Sequence, residues 1–137
     1  MDKILLVAGC GIFVLLGVAH LAYTLWTGKL DPRDPQLIEA MKQGRPVITR
    51  QTTMWKAWVG FNLSHSLGAI LFGLLFIDLA IESYGTVKAS FVLNAMLLGV
   101  PAIYLTLAIK YWFKSPRNGI LVAWGLIIAS VGMRYVA

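Results

Sequence analysis

Four long apolar stretches dominate the pattern of hydrophobic and polar positions along the chain. They cover roughly residues 4–26, 55–80, 88–110 and 117–136, and each reaches the length of about 20 residues that a helix needs to cross a bilayer core. Because lipid offers no partners to backbone polar groups, apolar runs of this length without strand-like alternation are expected to be α-helical. The pattern predicts an all-α integral membrane protein, a four-helix antiparallel bundle in one transmembrane domain over residues 1–137.

The first connection between these stretches, residues 27–54, is the only long one. Within it Asp34 can cap a helix that has Pro35 in its first position, and Gly44 can end that helix. Three apolar residues of this segment share one helical face, which predicts a short amphipathic helix at the membrane surface. These residues are Leu37, Ile38 and Met41. The other two connections are short, which favours antiparallel packing of consecutive helices.

Composition and charge agree with a membrane protein. Hydrophobic residues make up 58% of the chain and charged residues 13%, a balance that excludes a small soluble domain. The net charge of +6 does not indicate a nucleic-acid partner, because the basic residues lie between the apolar stretches rather than on one soluble face. The partners expected from composition are membrane lipids.

The distribution of Lys and Arg predicts the orientation in the membrane. Nine of the twelve lie in or beside the first and third connections, and the other three are Lys3, Lys88 and Arg134. Lys and Arg are enriched on the cytoplasmic side of a bacterial-type membrane. We therefore expect a multi-pass protein of the bacterial inner (cytoplasmic) membrane with both termini outward.

Two histidines, His20 and His65, are the sharpest candidates for chemistry. Each lies within an apolar stretch, and an ionisable group in lipid often marks a functional site. Gly17 and Gly68 each lie about one helical turn from their histidine, which would leave a gap beside two imidazoles. Haem b, a quinone or another lipophilic ligand suits such a gap. The remaining candidate ligand-binding residues are Phe61, Phe72 and Asn62.

A structural interpretation competes with this ligand site. Gly60, Ser64 and Gly68 form a stripe of small residues at four-residue spacing, an arrangement that lets membrane helices pack closely. On this interpretation each histidine only forms a hydrogen bond to a neighbouring helix. It gives the leading hypothesis, a non-catalytic helix-packing module that acts as an accessory subunit of a protein partner or as a homo-oligomer.

A small transporter or membrane enzyme is the third hypothesis. Asp78 and Glu82 lie one helical turn apart near the end of the second stretch, where paired carboxylates can transfer protons or bind a cation. Arg134 is their expected counter-ion. We assign no catalytic residue. We also assign no metal site, because the chain has one cysteine and two histidines, and a zinc site with four ligands would have to recruit carboxylates as well. Cys10, in the first apolar stretch, is expected to serve in packing.

Two strings in the first half of the chain carry a resemblance to known proteins. Residues 15–21 read LLGVAHL and residues 53–68 read TMWKAWVGFNLSHSLG. They resemble uncharacterised small bacterial four-span membrane proteins, and the overall plan resembles the broad DoxX-like group. The resemblance implies a bacterial inner-membrane bundle and no particular activity. Related sterol-isomerase and EXPERA-type bundles use acidic residues deep in a cavity, whereas the acids here lie near a helix end, which argues against an isomerase.

Overall fold

The protein is built from helices. The computed structural model describes residues 1–134, of which 83% are helical, and this part of the chain contains no β-strand. The helices are α1 (Asp2–Ala22), which continues as a π-helical turn (Tyr23–Thr27), α2 (Pro35–Gln43), α3 (Met54–Glu82), α4 (Tyr84–Ala89), α5 (Phe91–Tyr111) and α6 (Lys114–Met133). The all-α prediction is confirmed.

Four of these helices have the length and apolar composition of membrane spans, namely α1 with its π-helical turn, α3, α5 and α6. By these criteria the chain is a multi-pass membrane protein. The first two spans exceed the predicted ranges by a few residues at their ends. The predicted end of the fourth span, at residue 136, lies outside the described residues.

The third span begins later than its apolar pattern suggests. The prediction is roughly residues 88–110, whereas α4 occupies position 88 as a separate short helix and α5 starts at Phe91. Ser90 separates the two helices. Its side-chain oxygen accepts a hydrogen bond from the Leu93 amide (3.2 Å), while its own amide donates to the Thr86 carbonyl (3.0 Å). A serine side chain in this role is a common N-cap, and it starts a new helix inside an apolar run.

The short helix α2 forms where its sequence signals predict. The Asp34 carboxylate accepts a hydrogen bond from the Gln36 amide (2.9 Å), and Pro35 occupies the first turn. Gly44 ends the helix, and its amide donates to the Ala40 carbonyl (2.7 Å). Gly44 does this in an extended conformation rather than a left-handed one. The helix prediction is confirmed, and its location at a membrane surface stays a prediction.

The chain divides into two compact units. Among the described residues, the larger unit comprises Met1–Leu16 and residues 69–134, and the smaller unit comprises Gly17–Gly68. In the larger unit, Phe13 of α1 packs edge-on against Phe72 of α3 (ring centroids 5.1 Å apart) and against Tyr104 of α5 (5.7 Å). The other buried residues of this core include Leu6, Cys10, Phe76, Leu97, Ala123 and Ile127. Three of the four long helices therefore meet at Phe13.

Two glycines of the larger unit allow backbones to approach closely. A Cβ atom at Gly73 of α3 would lie 2.6 Å from the Cys10 carbonyl oxygen of α1, and a Cβ at Gly9 would lie 2.8 Å from the Ala123 oxygen of α6. Separations this short are not tolerated between a methyl group and a backbone atom. Any side chain at Gly73 or Gly9 would therefore push two helices apart. Cys10 is fully buried at the first of these contacts, in agreement with its predicted packing role.

Replacing Gly73 with alanine should destabilise the protein by about 1–3 kcal/mol, the usual range for overpacking. The added methyl group would meet the Cys10 carbonyl oxygen, which can move only if α1 moves. Gly125→Ala in α6 is the control, since that glycine is exposed and a Cβ there meets nothing within 4 Å. Reversible unfolding in mixed detergent micelles measures both variants. Equal stability changes in the two would contradict the close contact between α1 and α3.

Candidate functional site

A hydrogen bond between His20 of α1 and Asn62 of α3 lies at the centre of the candidate site in the smaller unit. The His20 Nε2 and Asn62 Oδ1 atoms are 2.9 Å apart, and the Asn62 Nδ2 group donates to the Trp58 carbonyl (2.8 Å). The amide nitrogen of Asn62 is thus committed to its own helix, so its oxygen faces His20. An oxygen can only accept. His20 Nε2 therefore carries the proton, and in the neutral imidazole the lone pair lies on Nδ1.

His65 lies directly against His20. The two ring centroids are 5.1 Å apart and the ring planes are inclined by 75°, which is an edge-to-face contact. The Ser66 hydroxyl is fully buried and donates to the Asn62 carbonyl (2.9 Å). At about 1.5 Å per residue, Asn62 lies about 12 Å along α3 from Met54. The structure thus brings three of the sequence-predicted residues, His20, Asn62 and His65, into one polar group well inside a span; we call this group the histidine cluster.

The helix that carries His20 changes its hydrogen-bonding pattern just after the cluster. The π-helical turn begins at Tyr23, and the Thr24 hydroxyl donates to the His20 carbonyl (2.9 Å). Gly28 then ends the turn with a φ of 60°, a left-handed conformation that glycine adopts without strain. π-helical turns are rare and occur often near functional sites. The apolar pattern of the span gives no sign of this turn.

The histidine cluster does not fit a bis-histidine haem. A six-coordinate haem iron takes one imidazole nitrogen on each face of the macrocycle, so the macrocycle must separate the two rings. Here the rings of His20 and His65 touch edge to face, and His20 Nε2 is already bonded to Asn62. The predicted haem site would require both contacts to be broken.

The other predicted lining residues have different positions. Gly17 is buried in α1 and Gly68 is exposed on α3. The Phe61 side chain is 76% exposed and faces outward. Phe72 belongs to the larger unit, where it packs against Phe13 and lies 5.1 Å from the Phe76 ring. Of the predicted ligand-binding residues, His20 contacts both Asn62 and His65 in the smaller unit.

The stripe of small residues lies on the outside of the chain. Gly60, Ser64 and Gly68 are all exposed on α3, and a Cβ at Gly60 would meet nothing within 4 Å. The Ser64 hydroxyl donates to the Phe61 carbonyl of its own helix (3.0 Å). The close helix contacts inside the larger unit are made by other glycines, which the sequence did not distinguish from these three.

A second polar network lies at one end of the larger unit. Arg134 Nη1 donates to Asn94 Oδ1 (2.8 Å), and Asn94 Nδ2 in turn donates to the carbonyls of Val87 and Ser90 (2.8 Å each). The guanidinium group lies 5.3 Å from the centre of the Tyr84 ring. Its Nε and Nη2 groups are buried and have no hydrogen-bond partner among the described residues. The network joins the end of α6 to the turn between α4 and α5.

Tyr84 links this network to the start of the chain. Its hydroxyl donates to the Asp2 carboxylate (2.8 Å), and the Ser130 hydroxyl donates to the Asp2 carbonyl (2.7 Å). Burial, and then the hydrogen bond to Asp2, raise the pKa of the Tyr84 phenol above its usual value. The phenol therefore stays protonated and continues to donate.

The predicted ion pair between Arg134 and the two carboxylates of α3 is wrong. Asp78 and Glu82 are exposed, and in the described part of the chain no ion pair joins either of them to Arg134. Arg134 contacts Asn94 and Tyr84 instead. The prediction rests on the position of Asp78, Glu82 and Arg134 near the ends of two apolar stretches. It failed because α4, which was not predicted, brings Tyr84 beside the guanidinium group.

Comparison with protein-family models, with curated proteins and with solved structures found no match. Within residues 1–134, no group of three or more His, Cys, Asp or Glu side chains could hold a metal ion.

The bond between His20 and Asn62 should show a measurable coupling energy. In a double-mutant cycle of His20→Ala and Asn62→Ala we expect about 0.5–1.7 kcal/mol, the range of hydrogen bonds between membrane helices. The control cycle pairs His20→Ala with Ser64→Ala, whose hydroxyl bonds only within its own helix turn. That cycle should be additive within about 0.5 kcal/mol. Unfolding in mixed micelles gives both energies, and an additive first cycle would show that the bond contributes nothing.

Proposed function

We propose that the protein is a non-catalytic helical module of the membrane, an antiparallel bundle of four spans that pairs with a second copy of itself through α3. The observation that carries this proposal is the outward position of Gly60, Ser64 and Gly68. A lipid-facing helix gains nothing from small residues, whereas a helix that contacts another helix gains close backbone approach.

The composition of this face of α3 favours a second copy of the chain, rather than a different protein, as the binding partner. Between Lys56 and Asp78 the helix α3 carries no Asp, Glu, Lys or Arg, so two copies can meet without repulsion between like charges. A two-fold interface also places each small residue against the same stripe of the partner helix. The internal hydrogen bond of His20 to Asn62 supports this proposal as well, since it uses the His20 Nε2 group for holding α1 to α3.

Charge and aromatic residues support the membrane and the orientation. Nine Lys and Arg flank the first and third connections, and three tryptophans lie at the same ends of their spans, where indoles favour the membrane interface. Trp26 is exposed, and Trp55 and Trp58 stack with ring centroids 5.3 Å apart. We place this side in the cytoplasm and both termini outward. The resemblance of the first two spans to small bacterial proteins supports the bacterial inner membrane.

Self-association should depend on the small-residue stripe. The variant Gly60→Leu with Ser64→Leu covers the stripe with bulky side chains and should convert dimers in nanodiscs or vesicles to monomers. Its control is Gly125→Leu, an exposed glycine of α6 where a Cβ also meets nothing within 4 Å. Native mass measurement and energy transfer between labelled copies report the assembly state. A wild-type chain that stays monomeric at high density in lipid, or pairs only with another protein, would contradict the proposal.

A second function is favoured by the histidine cluster, namely binding the hydroxyl head group of a lipophilic ligand such as a quinol. An imidazole nitrogen within an apolar span is costly to bury unless it finds a partner. In the described structure, His20 Nδ1 is the atom that offers a lone pair, and His65 supplies the neighbouring ring.

A soluble short-chain quinol tests this second function. If the cluster binds it, His20→Ala and His65→Ala should each weaken binding roughly tenfold, which corresponds to one lost hydrogen bond of about 1.4 kcal/mol. Asn94→Ala removes a comparable polar group from the other unit and should leave the affinity unchanged. Titration of the purified protein by calorimetry or tryptophan quenching gives the dissociation constants. Unchanged binding in both histidine variants would exclude the cluster as the site.

A further inference from the structure

A closed loop lies between α2 and the start of the second span. The Met54 amide donates to the Gly44 carbonyl (2.9 Å), so residues 45–53 form a loop whose two ends meet. Compact loops closed at the base are often functional. Met54 is also the first residue of a helix long and apolar enough to cross a membrane. The base of this loop therefore lies at the edge of a span.

The tip of the loop exposes two large apolar side chains. Val47 is fully exposed and Ile48 is 92% exposed. A turn closed by the Thr49 amide and the Pro46 carbonyl (3.2 Å) holds them at the tip, and the Gln51 amide donates to the Thr49 hydroxyl (3.1 Å). Adjacent branched apolar residues are rarely left in water at the tip of an ordered loop. Their exposure indicates that something apolar covers them.

Positive charge surrounds this tip. Residues 40–77 contain no Asp or Glu. Four exposed basic residues lie in or beside the loop, Arg45 and Arg50 within it and Lys42 and Lys56 beside it. In the described chain, Arg45 and Arg50 form no ion pair. An apolar tip between unpaired cations is complementary to a membrane surface, in which anionic headgroups cover apolar acyl chains.

We propose that Val47 and Ile48 insert at the boundary between headgroups and acyl chains of the surrounding bilayer, and that Arg45 and Arg50 bind the phosphates of anionic lipids. The inference rests on the membrane-spanning part of the proposed function and not on self-association. A bilayer is favoured over a protein partner because the loop base lies at the end of a span, where the lipid headgroups are within reach. Guanidinium groups suit this role because they bind phosphate with two parallel hydrogen bonds.

An environment-sensitive fluorophore on the loop tests the proposal. In a Cys10→Ala background, Ile48→Cys is labelled with a nitrobenzoxadiazole dye and the full chain is reconstituted in vesicles. Gln36→Cys, an exposed polar position on α2, is the control. In vesicles that contain phosphatidylglycerol, the dye at position 48 should emit at shorter wavelength. Lipids with a quencher near the headgroup should quench it several-fold more than the dye at position 36.

The arginines are tested in the same system. With Arg45→Gln and Arg50→Gln added, the dye at position 48 should lose its response to phosphatidylglycerol and become several-fold more sensitive to aqueous iodide. The proposal is overturned if iodide reaches positions 48 and 36 equally in anionic vesicles. It is also overturned if shielding at position 48 grows with protein density instead of lipid charge, which would identify a second copy as the cover. Retention of the chain in the membrane after alkaline extraction tests the spans separately, so the two failures are distinguishable.

Discussion

A polar group inside an apolar helix needs a partner within the chain, and the helix packing inside each unit depends on this constraint. The Asn62 side chain meets it through His20 and the Trp58 carbonyl, and the Ser66 hydroxyl meets it through the Asn62 backbone carbonyl. In the larger unit, the Trp124 indole donates to the Leu98 carbonyl (3.1 Å), within one turn of a proline that removes a backbone donor from α5. The two bonds that join different helices, His20 to Asn62 and Trp124 to Leu98, fix the rotation of one helix relative to its neighbour, which apolar packing alone does not do.

The sequence predicts the spans and α2 because both are encoded locally. The length of an apolar run is set by the thickness of the bilayer, and the caps of α2 are single residues such as Asp34. The contact of His20 with His65 could also be anticipated, because two rare polar residues at similar depth in consecutive spans have few other partners. A single serine, by contrast, divides α4 from α5 inside a continuous apolar pattern. Hydropathy averaged along the chain does not reveal this break.

The role of each glycine could not be predicted, for a related reason. Gly73 contacts the backbone of Cys10, whereas Gly60 is exposed on the same helix. A span that is apolar on every side has no polar face to show which side turns inward, so the sequence leaves its rotation open. The four-residue spacing predicts helix packing at Gly60, Ser64 and Gly68, which face outward. It gives no indication of the contact at Gly73. Because these three residues face outward, they form a surface that another helix can contact.

The hydrogen bond to Asn62 also decides what the histidine cluster can recognise. Since the proton of neutral His20 lies on Nε2 and is used by Asn62, the free nitrogen Nδ1 can only accept. A quinone carbonyl also only accepts, so it gains nothing from His20, whereas a quinol or alcohol hydroxyl can donate to it. The orientation of one asparagine amide, fixed by the Trp58 carbonyl, therefore sets the hydrogen-bonding character of His20.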